Sequence, residues 1–168
     1  MKKINLESCD YPYYHLAINK REINTAFRQL KSFSFIVNNK GKDIFIDLRD
    51  YKKIEKFLRL ADYFSEEIRV KCHFGDYISP YDWFQNNRNK IIMNLQENKE
   101  VSFPYYTIDN YIWQQPDFKE CSNFPIPIAF ILLRYFNVKK WLDPSAGWGD
   151  RLTAAICWGC EYQGVDPN

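Results

Sequence analysis

The segment Trp141-Leu142-Asp143-Pro144-Ser145-Ala146-Gly147-Trp148-Gly149-Asp150-Arg151-Leu152 constrains the fold of this chain more than any other. A short apolar run ends on an acid. Two glycines follow within a few residues, and then a helical pattern begins. Tyr162-Gln163-Gly164-Val165-Asp166-Pro167-Asn168 comes next, a second short run that also ends on an acid. The order reads strand, glycine turn, helix, strand, acid, which is the beginning of an α/β fold. Gly147 and Gly149 carry no side chain, so the turn can be tight and a ligand can lie against its backbone. Asp150 is placed to cap the helix, whose Leu152, Ala155 and Ile156 are expected to pack on the sheet.

Composition sets the outer bounds. A chain of 168 residues with 46% hydrophobic and 18% aromatic side chains can bury a real core and is not of the disordered class. The net charge of +2 is too small to imply a nucleic-acid partner by itself. Basic residues are in surplus over the first hundred positions and in deficit afterwards, a weak pointer to a polyanion facing the first part. Five cysteines, with no signal peptide ahead of them, imply free thiols in a reducing, cytoplasmic setting. The longest apolar run, residues 126–136, is far short of the ~20 residues that span a bilayer, so no membrane partner is expected.

Residues 1–100 read as an α+β accessory region, a candidate for binding substrate. A helix is expected over residues 18–33, with Ile23, Phe27 and Leu30 on one face. Strands over 33–37 and 43–48 flank a turn at 38–42, giving a hairpin. Asp50 heads an amphipathic pattern through Ile54, Phe57, Leu58, Ala61 and Phe64, and residues 68–74 alternate like a strand. Ser79-Pro80 has the signature of a helix start, serine as cap and proline at the first helical position. That helix carries Trp83, Phe84, Ile91, Ile92 and Leu95. Residues 101–122 read as an irregular linker, with a short helix expected from Thr107 or Asp109. An apolar helix over 125–136, a turn at Asn137 and a strand over 140–143 then open the domain of residues 123–168.

The motif narrows the chemistry. Helix N-terminal N–H groups after the glycine turn favour an anionic group. Asp166 lies nineteen residues past Gly147, close to the ~20-residue interval at which an acid meets a ribose hydroxyl in nucleotide-binding β–α–β units. The stretch 143–152 resembles the S-adenosylmethionine-binding motif of Rossmann-like methyltransferases. The closest resemblance is to DNA methyltransferases that modify the exocyclic amino groups of adenine or cytosine, including members of phage and giant-virus type. Gly164-Val165-Asp166-Pro167-Asn168 matches the family's second strand ending, and Asn123-Phe124-Pro125-Ile126-Pro127 resembles the start of the helix preceding its motif. The similarity covers residues 121–168.

The resemblance implies an incomplete Rossmann-like β–α–β unit behind a small α+β region, with S-adenosylmethionine as cofactor and nucleic acid, DNA first, as substrate. Asp143 and Gly147 would line the methionine part, with Phe124 near it, and Pro144 would also lie at the cofactor. Ser145, Ala146 and Gly149 would offer backbone, and Asp166 would accept hydrogen bonds from both ribose hydroxyls. Leu152 stands where a dinucleotide binder has its third glycine. The family's Asn/Asp-Pro-Pro-aromatic catalytic loop is not found in the chain. The motif order places it beyond Asn168, so the chain is expected to be the N-terminal part of a longer enzyme. A non-catalytic protein built on a cofactor fold and a nucleotide-dependent oxidoreductase are the alternatives. Cys157-Trp158-Gly159-Cys160 has redox or zinc spacing but falls where the helix should stop at Gly159, so Cys157 reads as core. His15 and His73 read as structural, the aromatics of 103–113 as core, and Lys52, Lys53, Lys56 and Arg59 as a solvated face.

Overall fold

The computed structural model describes residues 5, 7–32, 37–40, 43–46, 57–97 and 119–166. The chain is mixed α and β. It forms two compact units that interleave in sequence: residues 1–20 with 62–122, and residues 21–61 with 123–168. Among the described residues no helix is long and apolar enough to cross a membrane.

The described residues of the first unit are mainly helical. The unit holds α1 (Tyr14–Ala17), α3 (Asp62–Arg69) and α4 (Pro80–Glu97). Its core gathers Tyr11, Tyr13, Val70, Trp83, Phe84 and Ile91, with Ile78 and Tyr81 packed against them. The start of α4 follows the sequence expectation. Ser79 Oγ accepts the Asp82 N–H at 3.1 Å and donates to the Asp82 carboxylate at 2.7 Å, satisfying one of the helix's orphan donors.

The strand expected over 68–74 is not formed. Ile68 and Arg69 complete α3, and Val70 N–H continues the helical bonding to Glu66 O at 2.9 Å before the chain turns. The buried positions of α3 are Asp62, Glu66 and Arg69, which share a face at i, i+4 and i+7. This face is polar, so a search for apolar periodicity passes over it. Arg69 pairs with Asp62 at 2.7 Å and with Glu120, while Glu66 accepts the Tyr14 N–H from α1. Charges buried this deeply persist because each meets an opposite charge or a donor.

The second unit contains most of α2 (Lys20–Ser32), the hairpin β1 (Val37–Lys40) and β2 (Asp43–Ile46), and then α5 (Ile126–Tyr135), β3 (Lys140–Asp143), α6 (Asp150–Trp158) and β4 (Glu161–Gly164). The hairpin is antiparallel, from Val37↔Ile46 to Lys40↔Asp43. Pairing therefore takes in Asn38, Asn39 and Lys40, which the sequence places in the turn. A shorter connection suits the strand twist better. The helix expected from Asp50 through Phe64 is interrupted by a turn at Arg59–Ala61, and Phe64 is 74% exposed on α3. Residues 50–56, with their basic side chains, the aromatics of 103–113 and Leu95 lie outside the residues whose side chains are described.

α5 starts after Pro125, with Pro127 in its first turn, where a missing N–H costs nothing. It ends on Asn137 at φ 49°, with Val138 N–H bonded to Leu133 O at 2.9 Å and Asn137 N–H to Arg134 O at 3.2 Å. This left-handed stop satisfies the last carbonyls and delivers the chain into β3. α6 packs against α5 and ends on Gly159 at φ 88°. Cys157 is fully buried, and its Sγ lies 3.7 Å from the Phe27 carbonyl of α2.

Candidate functional site

β3 and β4 pair in parallel, with Lys140↔Glu161, Trp141↔Tyr162, Leu142↔Gln163 and Asp143↔Gly164. A parallel pair needs a crossover, and α6 supplies it. Both strands point their C-terminal ends at the glycine turn, so Asp143, residues 144–149 and Asp166 meet at one edge of the unit. In open α/β sheets this is the edge where ligands bind.

The loop is stitched to the end of β4. Val165 N–H donates to Asp143 O and Ala146 N–H to Val165 O, both at 2.9 Å. Gly147 N–H donates to Asp166 Oδ2 at 2.5 Å. Gly147 and Gly149 stand at φ 60° and 91°, where a side chain would be strained. Gly149 is the N-cap of α6, and Asp150 is its first helical residue rather than its cap. The Gly149 carbonyl accepts both the amide and the hydroxyl of Thr153, at 2.9 and 2.8 Å. Pro144, Ser145, Gly147 and Asp166 are exposed, and Ala146 and Gly149 are half-buried.

Asp143 is only 4% exposed and braces the loop from beneath. Its carboxylate accepts Arg151 Nε at 2.7 Å, the Tyr162 hydroxyl at 2.8 Å and the Ser145 amide at 3.2 Å. Burial alone would raise its pKa. The hydrogen bonds from Arg151, Tyr162 and Ser145, with the Arg151 charge, outweigh burial and hold the carboxyl below its usual range. Tyr162 moves the other way. Burial, and then the bond to the Asp143 carboxylate, push its hydroxyl up to about 12.

Arg151 and Tyr162 lie within the stretches that carry the motif, but its glycines and acids give neither of them a role. The register explains Tyr162. It precedes Gly164, the partner of Asp143, by two residues, so it is the diagonal neighbour of Asp143 on one face. Gly164 leaves room for the ring to lean across. A Cβ there would meet Tyr162 Cε1 at 2.7 Å and the Ala146 Cβ at 3.0 Å. Arg151 also stacks its guanidinium over the Phe124 ring, 5.3 Å from its centroid. Phe124 and Arg151 line an apolar cavity of 280 Å³ with Leu132, Phe136, Val138 and Trp141.

One expectation for α6 changes. Ala155 is buried, as are Ala154 and Cys157, but Leu152 is 41% exposed and Ile156 57%. α6 packs on α5, and Cys157 reaches the Phe27 carbonyl of α2. No family profile, curated protein or solved structure matches the chain.

Proposed function

We propose that the edge built from Asp143, the glycine turn and Asp166 binds S-adenosylmethionine, as part of a Rossmann-like enzyme that transfers a methyl group to an amino group of a nucleic-acid base. The observation that carries this reading is the position of Asp166. It stands at the end of β4, exposed, against the amide of Gly147 in a left-handed turn. A carboxylate there has acceptor oxygens for the paired hydroxyls of a ribose. Pro144, Ser145 and Gly147 are exposed and offer a surface on which an amino-acid-like tail can lie.

Asp143 has a different part. Its carboxylate already holds three donors, so it shapes the turn and orients Arg151 and Tyr162. The apolar cavity beside Phe124 and Arg151 suits the less polar portion of the same ligand. When bound, the cofactor supplies an already activated methyl, so the chain's task is positioning.

Calorimetric titration with S-adenosylmethionine tests the reading. Asp166→Ala removes charge-assisted acceptors worth about 1.5–3 kcal/mol, so affinity should fall roughly 10- to 150-fold. Unchanged affinity would remove the ribose contact, and no binding by the full-length protein would remove the cofactor.

A further inference from the structure

The helical unit carries a second cavity, of 550 Å³, within the range of small-ligand sites. Its wall is an aromatic stack. Tyr13, almost fully buried, lies under His15 with ring centroids 5.4 Å apart and an interplanar angle of 15°. Tyr11 packs beside Tyr13 at 4.9 Å. The His15 side chain keeps 31% of its surface, so the stack ends on a ring that solvent reaches.

Around this ring stand polar groups of defined chemistry. Glu67 Oε1 is 3.5 Å from His15 Nε2, and 58% of the Glu67 side chain is exposed. Asp10 also lines the cavity, and its carboxylate accepts the Tyr81 hydroxyl at 2.7 Å. Lys71 lines it too, its ammonium 5.0 Å from the centre of the Tyr81 ring. The lip is fixed in place, because Arg88 donates to the carbonyls of Glu7 and Cys9 at 3.0 and 2.8 Å.

We infer that this cavity holds a nucleobase bearing an exocyclic amino group, stacked on His15, with the amino edge toward Glu67 and a phosphate toward Lys71. A planar ring extends the Tyr13–His15 stack without disturbing it, as bases do on aromatic platforms. A carboxylate accepts hydrogen bonds and donates none, so it favours an amino edge over the carbonyl edge of uracil or thymine. The Lys71 ammonium supplies a positive charge toward the phosphate. The inference takes the role of the bound base from the methyl-transfer reading, but the binding itself needs no cofactor.

The test uses the unaltered chain without S-adenosylmethionine. Cytidine, adenosine and uridine 5′-monophosphates are titrated by calorimetry, with ribose 5-phosphate as the base-free control. The amino-bearing nucleotides should bind more tightly than uridine 5′-monophosphate, and the control should bind least. His15→Ala should weaken binding about tenfold. His15→Phe, which keeps a stacking face, should restore most of it, and an unchanged circular-dichroism melt excludes loss of fold. Glu67→Gln should bring the cytidine-to-uridine preference toward unity.

A short single-stranded oligonucleotide distinguishes the source. Tighter binding than the mononucleotide points to a nucleic-acid strand and equal binding to a free nucleotide, and both uphold the base site. Equal binding of ribose 5-phosphate and the nucleotides, an unaffected His15→Ala variant, or no binding at all would overturn it. These results leave the cofactor reading standing, since that reading is decided at Asp166.

Discussion

At the residue scale, the centre of the candidate site is a carboxylate satisfied three times over. Asp143 holds a guanidinium, a phenol and a backbone amide, and each bond favours its ionised form. The linkage has a definite sign. The folded pKa of Asp143 is depressed, so its stabilisation is full above the unfolded value of 3.8 and is lost as pH falls through the lower folded one. Tyr162 is raised to about 12 from 10.0, so its contribution is full below 10 and is lost as pH climbs through 12. Denaturation at a series of pH values should show Asp143→Asn costing stability at neutral pH, with the gap to the unaltered chain closing below pH 3.8. Tyr162→Phe should remove the corresponding alkaline loss. A gap for Asp143→Asn that stays constant down to the lowest pH would show that the carboxylate's charge contributes nothing. The motif residues were legible in sequence because glycines and acids at fixed spacing need no tertiary information. Arg151 and Tyr162 were not, because their roles arise from pairing register and from the bare backbone at Gly164.

At the element scale, three boundaries marked by local chemistry agree between sequence and structure, while the cap of α6 falls on Gly149 and not on Asp150. The capped start of α4, the Asn137 stop of α5 and the Gly159 stop of α6 are each set by a few neighbouring atoms. Ser79→Ala should therefore lower stability by about 0.5–2 kcal/mol, read as a shift in the urea midpoint. It removes an acceptor for the Asp82 amide and leaves the Asp82 carboxylate without its hydroxyl donor. An unshifted midpoint would mean that the first turn of α4 is held by packing alone. Two features that depend on distant partners differ from the sequence expectation. α3 was hidden because its buried face is Asp62, Glu66 and Arg69, acceptable inside only because Tyr14, Glu120 and the helix's own charges meet there. Likewise Leu152 and Ile156 follow an inward pattern on α6, yet burial depends on what lies opposite.

At the scale of the whole molecule, the β–α–β unit is completed by chain from far upstream. α2 lies beside α6, and Cys157 is enclosed where they meet. Burial pushes its thiol up to about 12, so it carries little thiolate near neutrality. Labelling with a thiol reagent under native conditions should leave Cys157 the last of the five cysteines to react, at the rate at which the unit opens. Labelling of Cys157 as fast as Cys72 would show that α2 does not cover it. The sequence by itself determined the β–α–β order, the glycine turn, the helix stops and the candidate acids, because each follows from short-range backbone chemistry. Only the tertiary structure decided that Asp143 braces Arg151 and Tyr162, that a polar helix face is buried, that His15 caps an aromatic stack beside Glu67, and that residues 21–61 join residues 123–168. Those outcomes depend on which distant groups arrive to satisfy a charge, cover a face or stack on a ring, and no local pattern encodes that arrival.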